Sequence, residues 1–290
     1  MKIGLVILSL NAGAGFSDLL SGINRSGDFL CQKLVIDSES DDDTPQIAAQ
    51  HGFEVLGIKR RDFNHGGTRQ LAAEYMKGKA DVLIFLTQDV EICDDECLRE
   101  IVAPFADEKI GAVYGRQLPH KDASSMASLL RAFNYPGMSA KKTFADREKY
   151  GIKTPFLSDS FAAYSLNCLF AAGGFPPNVR CSEDMYVGAK LLTAGFAIYY
   201  NAKATVRHSH EFTLKSAWKR YRDVGIFQAQ ESWIGETFGN AEGEGIKLLK
   251  SQLNVALKEG GISLAAKIIF DDALKFLAYK YGKFIGRNKS

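Results

Sequence analysis

Several absences narrow the class of this 290-residue chain. It has five cysteines, Cys31, Cys93, Cys97, Cys168 and Cys181, an odd number with no Cys-x-x-Cys pair. Without a second Cys/His pair beside Cys93 and Cys97, a zinc site is not indicated, and a reduced, cytosolic compartment is expected. Cys31 and Cys168 fall in expected strands, where a small buried thiol is ordinary. No apolar run approaches 18 residues, so no segment reads as membrane-spanning. The run after Met1-Lys2 imitates a leader peptide, but Ser9 and Asn11 interrupt it and it reads as a first strand. Internal repeats and low-complexity tracts are missing. A net charge of only +2 gives no footprint for nucleic acid.

What is present is uneven. Residues 246–290 hold nine Lys/Arg against three Asp/Glu, which leaves the rest of the chain mildly acidic. A basic tail on such a body points to an anionic surface, a membrane before a nucleic acid. Strand patterns at 3–8, 34–36, 54–57, 82–86 and 111–114 alternate with helix patterns at 16–24, 45–50, 67–77 and 95–105. Strands at 162–170 and 197–201 resume after an irregular stretch, 120–160, which reads as a surface loop or an acceptor-binding excursion. The alternation predicts an α/β fold with a doubly wound, mostly parallel sheet, whose strand carboxyl ends form the ligand crevice. Residues 1–225 form the expected catalytic domain and 226–290 a helical, basic extension.

Polar candidates fall at those strand ends: Asn11, Asp37 and Asp89. Asp37 opens an acidic, hydroxyl-rich turn suited to a base or ribose hydrogen bond. Asp89 and Glu91, spaced by one residue, would project carboxylates to the same side, and hard oxygen ligands of this kind suit Mg²⁺ or Mn²⁺ on a diphosphate. Phe63-Asn64-His65-Gly66-Gly67-Thr68-Arg69 sets permissive glycines and a guanidinium at a helix start, where backbone amides and Arg69 suit a phosphate. Between Gly173 and His208 stand Gly173-Gly174-Phe175, then Ser182-Glu183-Asp184, then Gly195-Phe196. Paired acids at a helix start are favoured in ionised form by the helix dipole, as a general base requires.

Together these residues resemble the family 2 glycosyltransferases of the GT-A fold, in their bacterial rhamnosyltransferase branch. The resemblance runs from about Ile3 to Gly225. It includes Val35-Ile36-Asp37-Ser38, Leu86-Thr87-Gln88-Asp89, Glu183-Asp184 and His208; the Asn64–Arg69 and Thr87–Asp89 strings carry the rhamnosyl branch. It implies that Asp37 contacts the nucleobase within a nucleotide-binding set of Asn11, Ser38, Gly67, Arg69 and Gln88. Asp89 would hold the metal, with His208, or less so His210, completing the site or touching the diphosphate. Asp184 would be the base of an inverting displacement and Glu183 would orient it or the acceptor. The usual Asp-x-Asp is Asp89-Val90-Glu91 here, which weakens the case for metal dependence. Gln70 stands where Asn is expected.

The implied activity is transfer of L-rhamnose from dTDP-L-rhamnose to a saccharide acceptor, lipid-linked, in cell-surface polysaccharide synthesis. A UDP-hexose donor and a non-catalytic sugar-nucleotide-binding protein are the alternatives. A nucleotidyltransferase would need a basic glycine-rich loop after the first strand, and Asn11-Ala12-Gly13-Ala14-Gly15 has no Lys or Arg. Trp218-Lys219-Arg220-Tyr221-Arg222-Asp223 reads as an amphipathic helix or as a contact for a diphosphate-linked lipid. On a helical wheel, Lys267, Asp271, Asp272 and Lys275 take one side. Ile269, Phe270, Ala273, Leu274, Phe276, Leu277, Tyr281 and Phe284 take the other, with Ile268 and Lys280 out of place. That helix either packs on the main domain or lies on an anionic leaflet, supported by Lys280, Lys283, Arg287 and Lys289, at the inner face of the plasma membrane.

Overall fold

The computed structural model describes residues 1–177, 179–259 and 261–288. Strand β1 (Ile3–Ser9) is buried along almost all its length, as an apolar run covered on both faces requires. Helix α1 (Phe16–Ser26) turns Phe16, Leu19, Leu20 and Ile23 inward, a one-sided helical pattern. β2 (Leu30–Asp37), α2 (Thr44–Gln50), β3 (Glu54–Gly57), α3 (His65–Met76) and β4 (Val82–Thr87) continue the alternation. A two-residue β5 (Glu91–Ile92) and α4 (Cys97–Val102) follow. The helix expected over 95–105 is cut short, because Pro104 lies in a 3-10 turn over 103–106.

β6 (Ile110–Leu118) leads into the stretch expected to be irregular, which holds α5 (Ser125–Asn134), β7 (Ala140–Lys142) and α6 (Arg147–Tyr150). Next come β8 (Phe161–Ser165), α7 (Leu166–Ala171), α8 (Glu183–Thr193) and β9 (Ala197–Arg207). The strand expected over 162–170 is therefore half helix. Ser165 ends it by accepting a hydrogen bond from the Cys168 amide at 3.4 Å, and a short apolar run alone does not distinguish the two states. Cys168 accordingly sits in a helix; Cys31, expected to be buried, is exposed.

The strand order is β3-β2-β1-β4-β8-β6-β9-β5, with β7 paired to β9. β1, β2, β3 and β4 run parallel, while β8 is antiparallel to both β4 and β6. Alternate side chains build two cores. Val6, Leu34, Phe85 and Tyr164 face one layer of helices, and Leu5, Ile7, Val35, Ile84 and Leu86 face the other. The order reverses around β1, so the crevice lies at the carboxyl ends of β1, β2 and β4. β9 extends six residues beyond the expected 197–201 segment, through a register shift opposite Gly115/Arg116. That length delivers His208 to the crevice.

The chain ends in α9 (Leu214–Gln230), α10 (Ser232–Phe238), α11 (Glu242–Glu259) and α12 (Gly261–Arg287). α9 runs through position 225, where the sequence suggests a boundary. α12 packs on α9 by its small residues: a Cβ on Gly282 would come within 2.0 Å of the Arg222 carbonyl oxygen, and one on Gly225 within 2.2 Å of the Tyr279 carbonyl oxygen. Ala278, Tyr279, Gly282 and Gly286 are buried there, whereas Ile269, Phe270, Phe276, Leu277, Tyr281 and Phe284 face outward. Of the two tail readings, packing on the main domain is the one this helix shows. It packs, but not by the side richest in large apolar residues.

Gly282→Val is expected to destabilise the fold by about 1–3 kcal/mol, because backbone meets backbone with no room to relax. Ala266→Val, at an exposed position on the same helix, should leave thermal unfolding unchanged.

Candidate active site

The crevice floor begins with three strand ends tied together. Asp37 is buried. One of its carboxylate oxygens accepts from the Ser9 hydroxyl at 3.1 Å and the Ser40 hydroxyl at 2.5 Å, and the other from the Ser40 amide at 2.9 Å. The Asn11 amide donates to Ser40 Oγ, and Asn11 Oδ1 accepts from the Asp41 amide at 2.7 Å. The Gln88 side chain clasps the backbone of Leu10 through both its oxygen and its nitrogen. Asn11 and Glu39 hold left-handed backbone, φ 48° and 57°, a conformation costly for non-glycine residues and common at ligand sites. Ser38 is buried beside Asp37 with its hydroxyl unpartnered among the described residues.

Asp89, in the turn after β4, meets His208 and His210 from the segment after β9. Asp89 Oδ2 lies 3.3 Å from His208 Nε2 and 3.7 Å from His210 Nε2. One ligand atom from each of the three residues lies within 4.8 Å of the other two. Gln117 on β6 explains why His208 is aimed this way. Arg131, which can only donate, places a guanidinium nitrogen 2.6 Å from Gln117 Oε1. That oxygen also lies 2.9 Å from His208 Nδ1, so Nδ1 must carry a proton.

In the neutral imidazole, Nε2 is then a bare lone pair. It is buried without a hydrogen-bond partner and faces a carboxylate oxygen. Two acceptors in contact require a cation between them, a proton or a metal ion. The atom set, one carboxylate oxygen and two imidazole nitrogens, fits a divalent ion with bonds of about 2.0–2.2 Å. Burial opposes ionisation of Asp89, yet His208 and His210 outweigh it and hold the carboxyl below the usual carboxylate range. Glu91 is not in this cluster. β4 stops at Thr87, Asp89 sits in the turn, and Glu91 opens β5 with its carboxylate 3.7 Å from His120 Nδ1. The expected shared side of one strand does not exist.

The second half of the site is carboxylate-rich. Ser182, at φ 65°, turns the chain into α8, whose first residues are Glu183 and Asp184. Arg69 is 4% exposed. Its Nη1 lies 3.0 Å from Glu183 Oε1, and its Nε lies 2.8 Å from Asp159 Oδ2. The Tyr164 hydroxyl donates to the other Asp159 oxygen at 2.5 Å. The phosphate role expected for Arg69 therefore meets a guanidinium already committed to two carboxylates. The Gly67 amide is likewise used, donating to its N-cap residue Asn64 at 2.6 Å. Asp184 accepts from the Met185 amide. Burial, then Glu183 and Asp159, push its carboxyl well above the usual carboxylate range.

Gln70 accepts from the Phe175 amide at 2.8 Å. Only glycine allows this approach, since a Cβ on Gly174, itself at φ 76°, would come within 2.4 Å of Gln70 Oε1. The two halves meet at adjacent residues. The Ser158 hydroxyl accepts from Gln117 Nε2 at 2.8 Å on the histidine side, and Asp159 faces Arg69 on the other. From α9, Arg220 bears electrostatically on His210, His65 and Cys181, groups on both sides.

Asp159, Gln117 and Arg131 were invisible to motif reading. Asp159 has no partner acid at short spacing, and Gln117 and Arg131 reach the site through neighbours. The signal for Asp159 was a lone acid directly before the β8 run. Gln117→Leu should weaken Mn²⁺ binding about 10–100-fold by calorimetry, since it frees the His208 ring. Asp159→Asn removes a negative neighbour of Asp184. The acidic limb of the kcat/KM profile, which rises as Asp184 ionises, is expected to move to lower pH.

Known proteins fit this geometry. The profile of Glycosyl transferase family 2 matches residues 6–169. The O-antigen chain rhamnosyltransferase RfbN of Salmonella typhimurium is 43% identical over 284 residues, 98% of this chain and 90% of that protein. The O-antigen chain rhamnosyltransferase WbaN of Salmonella anatum is 39% identical over 280 residues, covering 96% and 88%. Among solved structures, a mannosyltransferase from Pyrobaculum calidifontis in complex with GDP-Man and Mn²⁺ superposes with a TM-score of 0.63 at 14% identity. That match covers 99% of this chain and 87% of the other. Glucosyl-3-phosphoglycerate synthase from Mycobacterium tuberculosis, solved with Mn²⁺ and UDP, gives 0.54 at 17% identity, covering 82% and 80%. At such identities the structures speak for the fold, which is GT-A. With the profile over more than half its length and relatives at 43% and 39% identity across nearly all of it, the chain belongs to glycosyl transferase family 2.

Proposed function

We propose that this glycosyltransferase moves L-rhamnose from dTDP-L-rhamnose to a saccharide acceptor on a lipid carrier, building a cell-surface polysaccharide at the inner face of the plasma membrane. The observation that carries the reading is the junction at Ser158 and Asp159. It joins a three-residue group with the donor set for a divalent cation to a buried acid cluster, a pairing that suits an inverting displacement, and near-full-length relatives carry the name rhamnosyltransferase.

In this reading Asp37 and its neighbours receive the nucleobase and ribose, and Asp89, His208 and His210 hold Mn²⁺ or Mg²⁺. Two imidazoles favour Mn²⁺ of the pair. Once bound, the ion neutralises charge on the departing diphosphate. Arg220 adds a second positive charge from α9. The acceptor hydroxyl oxygen forms its bond to the anomeric carbon from the face opposite the diphosphate. The bond to the diphosphate oxygen breaks, and the hydroxyl proton passes to Asp184. Glu183, fixed by Arg69, keeps Asp184 at the start of α8. One displacement inverts the centre and releases dTDP.

Asp184→Asn is expected to lower transfer by several orders of magnitude while donor affinity, read by calorimetry with dTDP, survives. Unchanged turnover would overturn the assignment of the base. A donor panel with Mn²⁺ or Mg²⁺ tests the sugar: preferential turnover of UDP-glucose or UDP-galactose would replace dTDP-rhamnose.

A further inference from the structure

We infer that the outward side of α12 is a docking surface for an anionic lipid leaflet, on which the helix lies flat. The inference deepens the lipid-linked acceptor proposed above and rests on it for purpose, though not for evidence.

The evidence begins with how α12 is held. Gly282, Gly286 and Gly225 let its backbone touch α9, and of its large side chains Ile268 and Tyr279, the latter donating to Gln228 at 2.6 Å, turn inward, so attachment leaves six other large apolar side chains unused. These are left in solvent: Ile262 is 83% exposed, Phe270 62%, Leu277 59% and Phe284 65%, with Ile269 and Phe276 at about half. At 100° per residue they fall within an arc of about 120° that runs for most of the helix. An apolar stripe this long is costly on a protein that stays in water.

The composition of the arc selects the occupant. It contains no Asp or Glu, carries Lys280 and Arg287 toward its end, and is flanked by Lys267 on one edge and Lys283 on the other. Of the acids of α12, Asp271 lies on the far side, and Asp272, next to Lys283 beyond the edge of the arc, is engaged by Lys275. Glu242 of α11 engages Lys280 and Lys283, and Lys283 and Arg287 line a pocket that also holds Glu231 and Glu236, so Lys267 and the half-exposed Lys280 carry the positive margin around an apolar centre. That pattern matches phospholipid acyl chains beneath acidic headgroups. A second copy of this chain would set like charges against each other. No described helix is long and apolar enough to cross a membrane, so the contact is superficial.

The test is vesicle flotation of the full chain with phosphatidylcholine alone and with added phosphatidylglycerol. Wild type is expected to float with the anionic vesicles only, and less at high salt. Phe276→Glu/Phe284→Glu should weaken that binding by about tenfold or more, with unchanged thermal unfolding and unchanged transfer to a water-soluble acceptor. Equal binding by variant and wild type would overturn the surface, as would flotation of neither. A concentration-dependent dimer that the double variant abolishes would assign the stripe to a second copy instead. Vesicle binding that persists without any rhamnosyl transfer would sink the donor assignment and leave this surface standing.

Discussion

The buried guanidinium of Arg69 is the interaction on which the rest of the site depends. It brings one positive charge to a corner holding Asp159, Glu183 and Asp184. Three carboxylates and one cation, almost dry, form an unfavourable set by themselves, since desolvation of ions outweighs much of their attraction. Such a set persists because the scaffold over-determines it. α3 supplies Arg69, the turn before β8 supplies Asp159, and the left-handed Ser182 feeds Glu183 and Asp184 into α8. The outcome is that burial, then Glu183 and Asp159, raise the Asp184 carboxyl above the usual carboxylate range. A proton acceptor needs that basicity, and it arises from packing and charge rather than from any one hydrogen bond.

Much of the fold was legible because parallel strands covered on both faces leave apolar runs in the sequence. β3 was placed at its observed ends and β1, β2, β4 and β6 within a few residues. The misplacements have physical causes. Residues 162–170 are mostly apolar, with Ser165 and Asn167 among them, and Ser165 ends the pleated segment through a cap that an apolar pattern does not mark. The reach of β9 to Arg207 depends on a register shift against β6, a tertiary event.

The site was legible in its anchors and obscure in its wiring. Asp89, His208, Glu183 and Asp184 stood out as acids and histidines beside strand and helix ends. Arg69 was visible too, but its companions were not. A guanidinium near a helix start suits an anion, and only the coordinates tell whether that anion is a ligand or the protein's own carboxylates. Gln117 carries no charge and no motif, yet it decides which nitrogen of His208 is bare. In the tail, the wheel separated the two sides correctly. It could not say which one packs, because glycine contributes nothing to an apolar count while permitting a backbone contact that a Cβ would block.

The adjacency of Ser158 and Asp159 has a mechanical consequence. Successive α-carbons sit about 3.8 Å apart across a planar link that hardly bends. One peptide unit therefore sets the spacing between the Gln117 contact of Ser158 and the Arg69 contact of Asp159, just ahead of a strand clamped on both edges by β4 and β6. Any change in the room between the two clusters has to come from the other elements that build them, α3 and α8 on one side and β6 with the segment after β9 on the other.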